Sequence, residues 1–242
     1  DPINWGADAI YDIVDGKMQF RSHFKIPAPQ TELENCVAHN GSLVPVPGRD
    51  IFVQAWYQGG ISVIDFTDSS NPVEIAFFDR GPVDAQDLVM GGYWSAYWYR
   101  GFIYGTEIAR GLDVFTLTPS EYLSVNEIAA ASLGGSEIVN PQQQRRHVWP
   151  AEPVVAKAYL DQLLRDDAIE AGQASALAVA LDDAAAALDG EQRENTTVAS
   201  ELDRVGDSLT LRLSDPSQRT RERLIALTDT LAALIERLRG RG

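Results

Sequence analysis

The side chains in this sequence best suited to chemistry are His39-Asn40, close to the single cysteine, Cys36. An imidazole can bind a ligand or a metal and can move a proton near neutrality, and an amide both donates and accepts hydrogen bonds. Two aromatic groups stand out beside them: Trp56-Tyr57 and the run Tyr93-Trp94-Ser95-Ala96-Tyr97-Trp98-Tyr99. Stacking aromatics on a rigid β-scaffold suit sugar rings or the hot spots of a protein contact. With the carboxylate of Glu107 and the guanidinium of Arg110, these define a candidate ligand-binding set of His39, Asn40, Trp56, Tyr57, Trp94, Glu107 and Arg110.

Each of these residues also has an ordinary structural role. A hydrogen-bonded structural histidine is commoner than a catalytic one. Strand alternation predicts that about half of the aromatic cluster packs inward. His23 alternates with apolar residues, and His147 lies in a polar stretch. No spacing of His with Glu or Asp matches a metal motif. There is no Gly-x-Ser-x-Gly elbow, phosphate-binding glycine loop or Cys-His nucleophile pair. Asp65, Asp68, Asp79, Asp84 and Asp87 lack the alternate spacing of a calcium loop and read as turn and ladder-end residues. No catalytic residue, metal or cofactor is therefore assigned.

Charge narrows the partners. The net charge is −15, with 18 acidic and 9 basic residues up to residue 150 and 17 and 11 after it. Both parts would repel phosphate backbones, which argues against nucleic acid. No apolar run approaches the roughly 20 residues of a membrane-spanning helix. Residues 1–25 lack the basic start and apolar core of a signal peptide, although a processed or partial chain would lack them too. One cysteine excludes an internal disulfide framework and a Cys-based zinc site. Only three of the basic residues are Lys, a bias that with the Ala-rich second half suggests a high-GC bacterial gene.

The elements that position the candidate residues follow from an internal repeat. Ile51-Phe52-Val53-Gln54-Ala55 aligns with Phe102-Ile103-Tyr104-Gly105-Thr106. At the same offset of 51 residues, Gly60–Thr67 falls on Gly111–Thr118. Each copy reads as a strand, a connection ending in Gly, and a second strand rich in β-branched and aromatic residues. Ala9-Ile10-Tyr11-Asp12-Ile13 resembles Ser62–Phe66, and each is followed by a polar turn and another strand. One unit is thus about four strands, near 36–44, 50–57, 60–67 and 73–79, the size of a propeller blade. The competing arrangement is an ordinary β-sandwich.

The segment Gly60-Ile61-Ser62-Val63-Ile64-Asp65-Phe66-Thr67-Asp68-Ser69-Ser70-Asn71-Pro72 resembles the signature of the bacterial LVIVD-repeat proteins, and Arg110–Pro119 is similar to a last such unit. The resemblance covers about residues 5–125. It implies a β-propeller on a secreted or surface-attached protein, usually of undefined activity. Such propellers carry more blades than the two and a half visible here, and closure takes at least about four. The chain therefore reads as the C-terminal piece of a longer protein, its open face covered by upstream blades, a protein partner or a second copy. His39 would then lie on an innermost strand facing the channel.

After residue 150 the period changes. Leu224, Leu227, Leu231, Leu234 and Leu238 form one apolar stripe, with Asp215-Pro216 as its expected start and Gly240 as its end. Earlier helices are expected at about 152–166, 168–188 and 192–212. The expected fold is multidomain, β then α: antiparallel β-propeller blades of a partial propeller over 1–133, a linker over 134–150, and a three- or four-helix bundle over 151–242. Function follows as a non-enzymatic extracellular or cell-surface binding module with a helical docking or assembly domain. The alternative is a metal-assisted hydrolase or lyase working in the channel around His39.

Overall fold

The computed structural model of the chain describes residues 2–135, 138, 146–190 and 195–240. Its β-structure falls into three separate antiparallel sheets. β1 (Asp8–Val14) pairs with β2 (Lys17–Phe24). β3 (Gly41–Val44), β4 (Ile51–Ala55), β5 (Ile61–Asp65) and β6 (Val73–Phe78) form a four-stranded meander. β7 (Tyr93–Tyr99), β8 (Phe102–Glu107) and β9 (Gly111–Phe115) form a three-stranded one.

The 51-residue repeat is visible as strand pairing. β4 runs antiparallel to β5 with Val53 opposite Val63, and β8 runs antiparallel to β9 with Gly105 opposite Asp113. The turn into β5 needs Gly60, at φ +84°, because a Cβ there would lie 2.1 Å from the carbonyl oxygen of Phe78. In β4 and β5 nearly every residue is buried, as befits central strands covered on both faces. Burying each large apolar side chain there is worth about 1.5–3 kcal/mol. β9, by contrast, is an edge strand with Leu112 and Val114 exposed.

These sheets do not make a propeller. Among the described residues they are three small sheets of two, four and three strands, accompanied by five helices, and none closes on another in a ring. The expected partial propeller is therefore corrected, and with it the central channel that His39 was to line. Local physics shows why the repeat stops. The offset that superposes β4 on β8 carries β6 onto residues 124–129, which lie in the helical stretch α1 (Val125–Leu133) and its cap. Ser124 accepts from the amide of Glu127 while the Glu127 carboxylate accepts from the amide of Ser124. This reciprocal capping box is followed by Ala129-Ala130-Ala131, strong helix formers. A helix start stands where a fourth strand was due.

The helices that follow are α2 (Pro153–Arg165), α3 (Ala171–Asp189), α4 (Thr196–Asp207) and α5 (Gln218–Leu238). α2 packs on α1, α3 and α5, and α4 packs on α3 and α5. Their core includes Leu163, Leu177, Leu181, Leu202, Leu227, Leu234 and Leu238, with Trp149 partly buried against it. Five described helices, with α1 lying ahead of residue 151, thus stand where a three- or four-helix bundle over 151–242 was expected. α5 begins two residues later than its sequence suggests. Ser217 is the cap, accepting from the amide of Thr220 at 3.0 Å, and Asp215 instead pairs with Arg221. The chain divides into two compact units, one built on residues up to Thr118 and the other on Pro119–Gly134 together with the chain from His147 onward. Of the expected linker, residues 136, 137 and 139–145 lie outside the described residues. No described helix is long and apolar enough to cross a membrane.

Candidate functional site

Three of the seven candidate residues, His39, Tyr57 and Trp94, meet on one surface of the β-unit, and Asn40 follows His39 in the chain. His39 and Asn40 continue the β3–β4 pairing beyond β3: the amide of His39 donates to Ala55 O, and the amide of Ala55 donates to Asn40 O, each at 2.9 Å. Tyr57 lies just past β4, and Trp94 near the start of β7. The ring centroids are 4.4 Å apart for His39 and Trp94, 4.7 Å for His39 and Tyr57, and 5.8 Å for Tyr57 and Trp94, the last pair edge to face. His39 and Asn40 are exposed, and Trp94 keeps 49% of its surface open.

Two backbone irregularities create this surface. Trp94 sits in a register shift of β7, where Tyr93 faces Glu107 and Ser95 already faces Thr106. The residue between them is a bulge, which turns its side chain away from the alternation of the strand. Its carbonyl oxygen accepts from His39 Nδ1 at 2.5 Å. Because a carbonyl can only accept, the proton is on Nδ1, and in the neutral ring Nε2 is left as an acceptor. The second irregularity is Tyr57, whose φ of +50° is rare for a residue with a side chain and is kept only where its surroundings demand it. Here they do. Tyr57 and Tyr93 exchange backbone hydrogen bonds of 3.1 and 2.8 Å, and Gly60 N donates to Tyr57 O. Gly92, at φ +88°, packs so closely that a Cβ would lie 1.9 Å from the carbonyl carbon of Tyr57.

The remaining candidates support rather than line this surface. Glu107 is buried, with its carboxylate accepting from the amides of Gly92 (2.6 Å) and Arg110 and facing the Arg110 guanidinium at 3.6 Å. It closes the β8–β9 turn and holds the residue that seats against Tyr57. Trp56 is fully buried with Phe24, Ile26 and Ile64, so it belongs to the core and not to a ligand surface. Tyr93 belongs to the aromatic run noted in the sequence but not to the seven candidates. Its hydroxyl donates to Asp113 at 2.6 Å, and burial followed by this bond pushes its pKa up. Asp113 in turn is held below the usual carboxylate range by the bidentate Arg80 and by Tyr93. The sequence signal was Arg80 and Asp113 themselves, which no local spacing connects.

Other chemistry is muted. Cys36 donates to Gln30 Oε1 at 2.7 Å, and burial, with Glu34 and Asp79 nearby, pushes its thiol up to about 12, far from a reactive thiolate. A hollow of about 330 Å³ is lined by Ile26, Gly59, Ser62, Glu74, Phe77 and Asp79. Burial raises Glu74 there, partly offset by the Ser62 hydroxyl. Among the described residues no three His, Cys, Asp or Glu side chains stand together as metal ligands. The neighbours of the His39 ring among the described residues are the Tyr57 and Trp94 rings and the Trp94 carbonyl.

Searches for similar proteins found no matching family model, curated protein or solved structure.

Proposed function

We propose that this chain is a binding module whose contact surface is the platform formed by His39, Tyr57 and Trp94. The observation that carries the reading is the exposure of Trp94 at a bulge whose backbone is held by His39 and by the Tyr57–Tyr93 exchange. A large aromatic side chain held rigidly in the open loses little conformational freedom when a ligand stacks on it, which is the usual economy of a recognition surface. The extracellular or cell-surface setting rests on the resemblance of residues 60–72 to LVIVD-repeat proteins. The acidic charge favours partners other than nucleic acid.

The reading is tested by a ligand-observed NMR screen of small fragments (sugars, indoles, aromatic and proline-containing dipeptides) against the chain and its Trp94→Ala variant. Fragments that bind the parent and lose their signal with the variant are the expected result. A screen in which every hit is indifferent to Trp94 would overturn it.

A further inference from the structure

The chemistry around the platform selects a ligand class, an inference that rests on the platform being a binding surface. Ring spacing decides first. A cage for an organic cation surrounds the charge with ring faces, each within about 6 Å of it. Here the three rings already touch one another, at 4.4–5.8 Å between centroids, so no cation fits between them. With His39 and Tyr57 tilted against Trp94 at 52° and 84°, what the group offers is the exposed Trp94 ring, on which a flat or puckered ring can lie.

The polar atoms at its rim decide next. His39 Nδ1 is spent on the Trp94 carbonyl, while Nε2 has no partner among the described residues. Asn40 uses its side-chain oxygen on the amide of Gly41, leaving its amide nitrogen, a donor only, without a partner among the described residues. The Tyr57 hydroxyl and the Trp94 indole nitrogen are likewise unpartnered among the described residues. The set is one acceptor, two donors and one hydroxyl that does both, with no Lys or Arg among the side chains. A phosphate or carboxylate would call for cations, and a purely apolar segment would leave these groups unpaired at a cost. A sugar ring meets both requirements. Its hydroxyls donate and accept around the edge, and its C–H face carries partial positive charge toward the negative face of an aromatic ring.

We infer that the platform is a carbohydrate site for a neutral glycan, with one sugar ring stacked on Trp94, a hydroxyl donating to His39 Nε2, and the Asn40 amide donating to a second oxygen. No bond is made or broken; the site binds.

The test is calorimetric titration of the full chain with neutral hexasaccharides of β-linked glucose, α-linked glucose, β-linked N-acetylglucosamine and β-linked mannose. Binding of at least one is expected. It should weaken tenfold or more in Trp94→Ala, several-fold in Asn40→Ala, and several-fold in His39→Phe, which keeps a ring against Trp94 but has no nitrogen. Trp94→Phe should bind better than Trp94→Ala, and circular dichroism of both shows whether the sheet survives. Absence of binding by all four at millimolar concentration, or binding that Trp94→Ala leaves unchanged, overturns the inference. Fragment hits that depend on Trp94 but are confined to aromatic or proline-containing peptides would also overturn it, while the binding-surface reading would stand. Fragment hits all indifferent to Trp94 would remove both.

Discussion

The backbone amide of Gly92 donates to the buried carboxylate of Glu107 at 2.6 Å, tying the end of β8 to the residue that seats against Tyr57. Glu107 stands fifteen residues from Gly92 in the chain and opposite Tyr93 in the ladder. It therefore acts on the platform without touching a ligand. Glu107→Ala leaves the amides of Gly92 and Arg110 without their acceptor, at a cost of about 1–3 kcal/mol. Glu107→Gln keeps one acceptor oxygen and should fall in between. Urea denaturation measures the cost. Fragment binding at Trp94 should weaken in Glu107→Ala even under conditions where the chain is fully folded.

A second prediction concerns acid. Arg49 and Asp65 form an ion pair at 2.5 Å, with 5% of the Arg49 side chain and 21% of the Asp65 side chain exposed. Burial alone would raise the Asp65 carboxyl. The Arg49 guanidinium and the Thr67 hydroxyl and amide outweigh it and hold the carboxyl below its ordinary value. A carboxylate with a depressed folded-state pKa adds stability that is present at neutral pH. That stability is lost as the pH falls from about 4 through the lower folded value. Asp65→Asn should cost about 1–3 kcal/mol at pH 7, from the lost charge-assisted hydrogen bonds, and the gap to the parent should shrink steadily below pH 4. A gap of constant size from pH 7 to pH 2.5 would show that the charge on Asp65 contributes nothing.

How far the sequence shows all this depends on whether a feature is local. The β4–β5 and β8–β9 pairs were legible from the 51-residue match because strand, Gly turn and strand lie within about 15 residues. The helices after residue 150 were legible from their apolar period. Sheet closure was not, because the repeat ends where the Ser124–Glu127 capping box starts a helix. In the site, His39, Asn40, Tyr57 and Trp94 could be suspected from residue type alone. The convergence of His39, Tyr57 and Trp94 could not, since it depends on a bulge at Trp94 and a positive φ at Tyr57, both set by distant backbone. Trp56 and Tyr57 are neighbours with opposite fates, one fully buried and the other on the platform. Glu107 looked like a ligand-binding acid because burial, which makes it structural, is written in no spacing.

The helical unit yields a third prediction. Glu127 is fully buried, and besides capping α1 it accepts a fork of two bonds from Arg165 on α2. Asn126 adds a bond to Asp161 at 2.9 Å. α1 is therefore fastened to the helices after it by polar bonds as well as by Ala130. A chain of residues 119–242 should melt cooperatively by circular dichroism and be more stable than one of residues 151–242. Glu127→Ala in the longer chain should cost about 1–3 kcal/mol, because it removes the charge-assisted bonds from Arg165 and the Glu127 half of the capping box. Equal stability of the two lengths would show that α1 contributes nothing to the unit.

The last prediction has the opposite sign from that for Asp65. Asp8 opens β1 opposite Phe24, and its Oδ2 is buried without a hydrogen-bond partner among the described residues. Burial disfavours its charged form and raises its pKa from 3.8 to about 6. The folded chain thus holds this proton more tightly than the unfolded chain does. Below pH 3.8 the group is protonated in both states and costs nothing as a charge. Between 3.8 and 6 a penalty grows, and above 6 it is complete. Two pH units correspond to about 3 kcal/mol at most, and some solvent access reduces it, so about 1–3 kcal/mol is expected. Asp8→Asn, uncharged at every pH, should therefore be more stable than the parent by that amount at pH 8 and nearly equal to it at pH 4. Urea denaturation of the pair at the two pH values measures the gap directly. A variant less stable than the parent at pH 8 would mean that the Asp8 carboxylate is charged and satisfied in the folded chain.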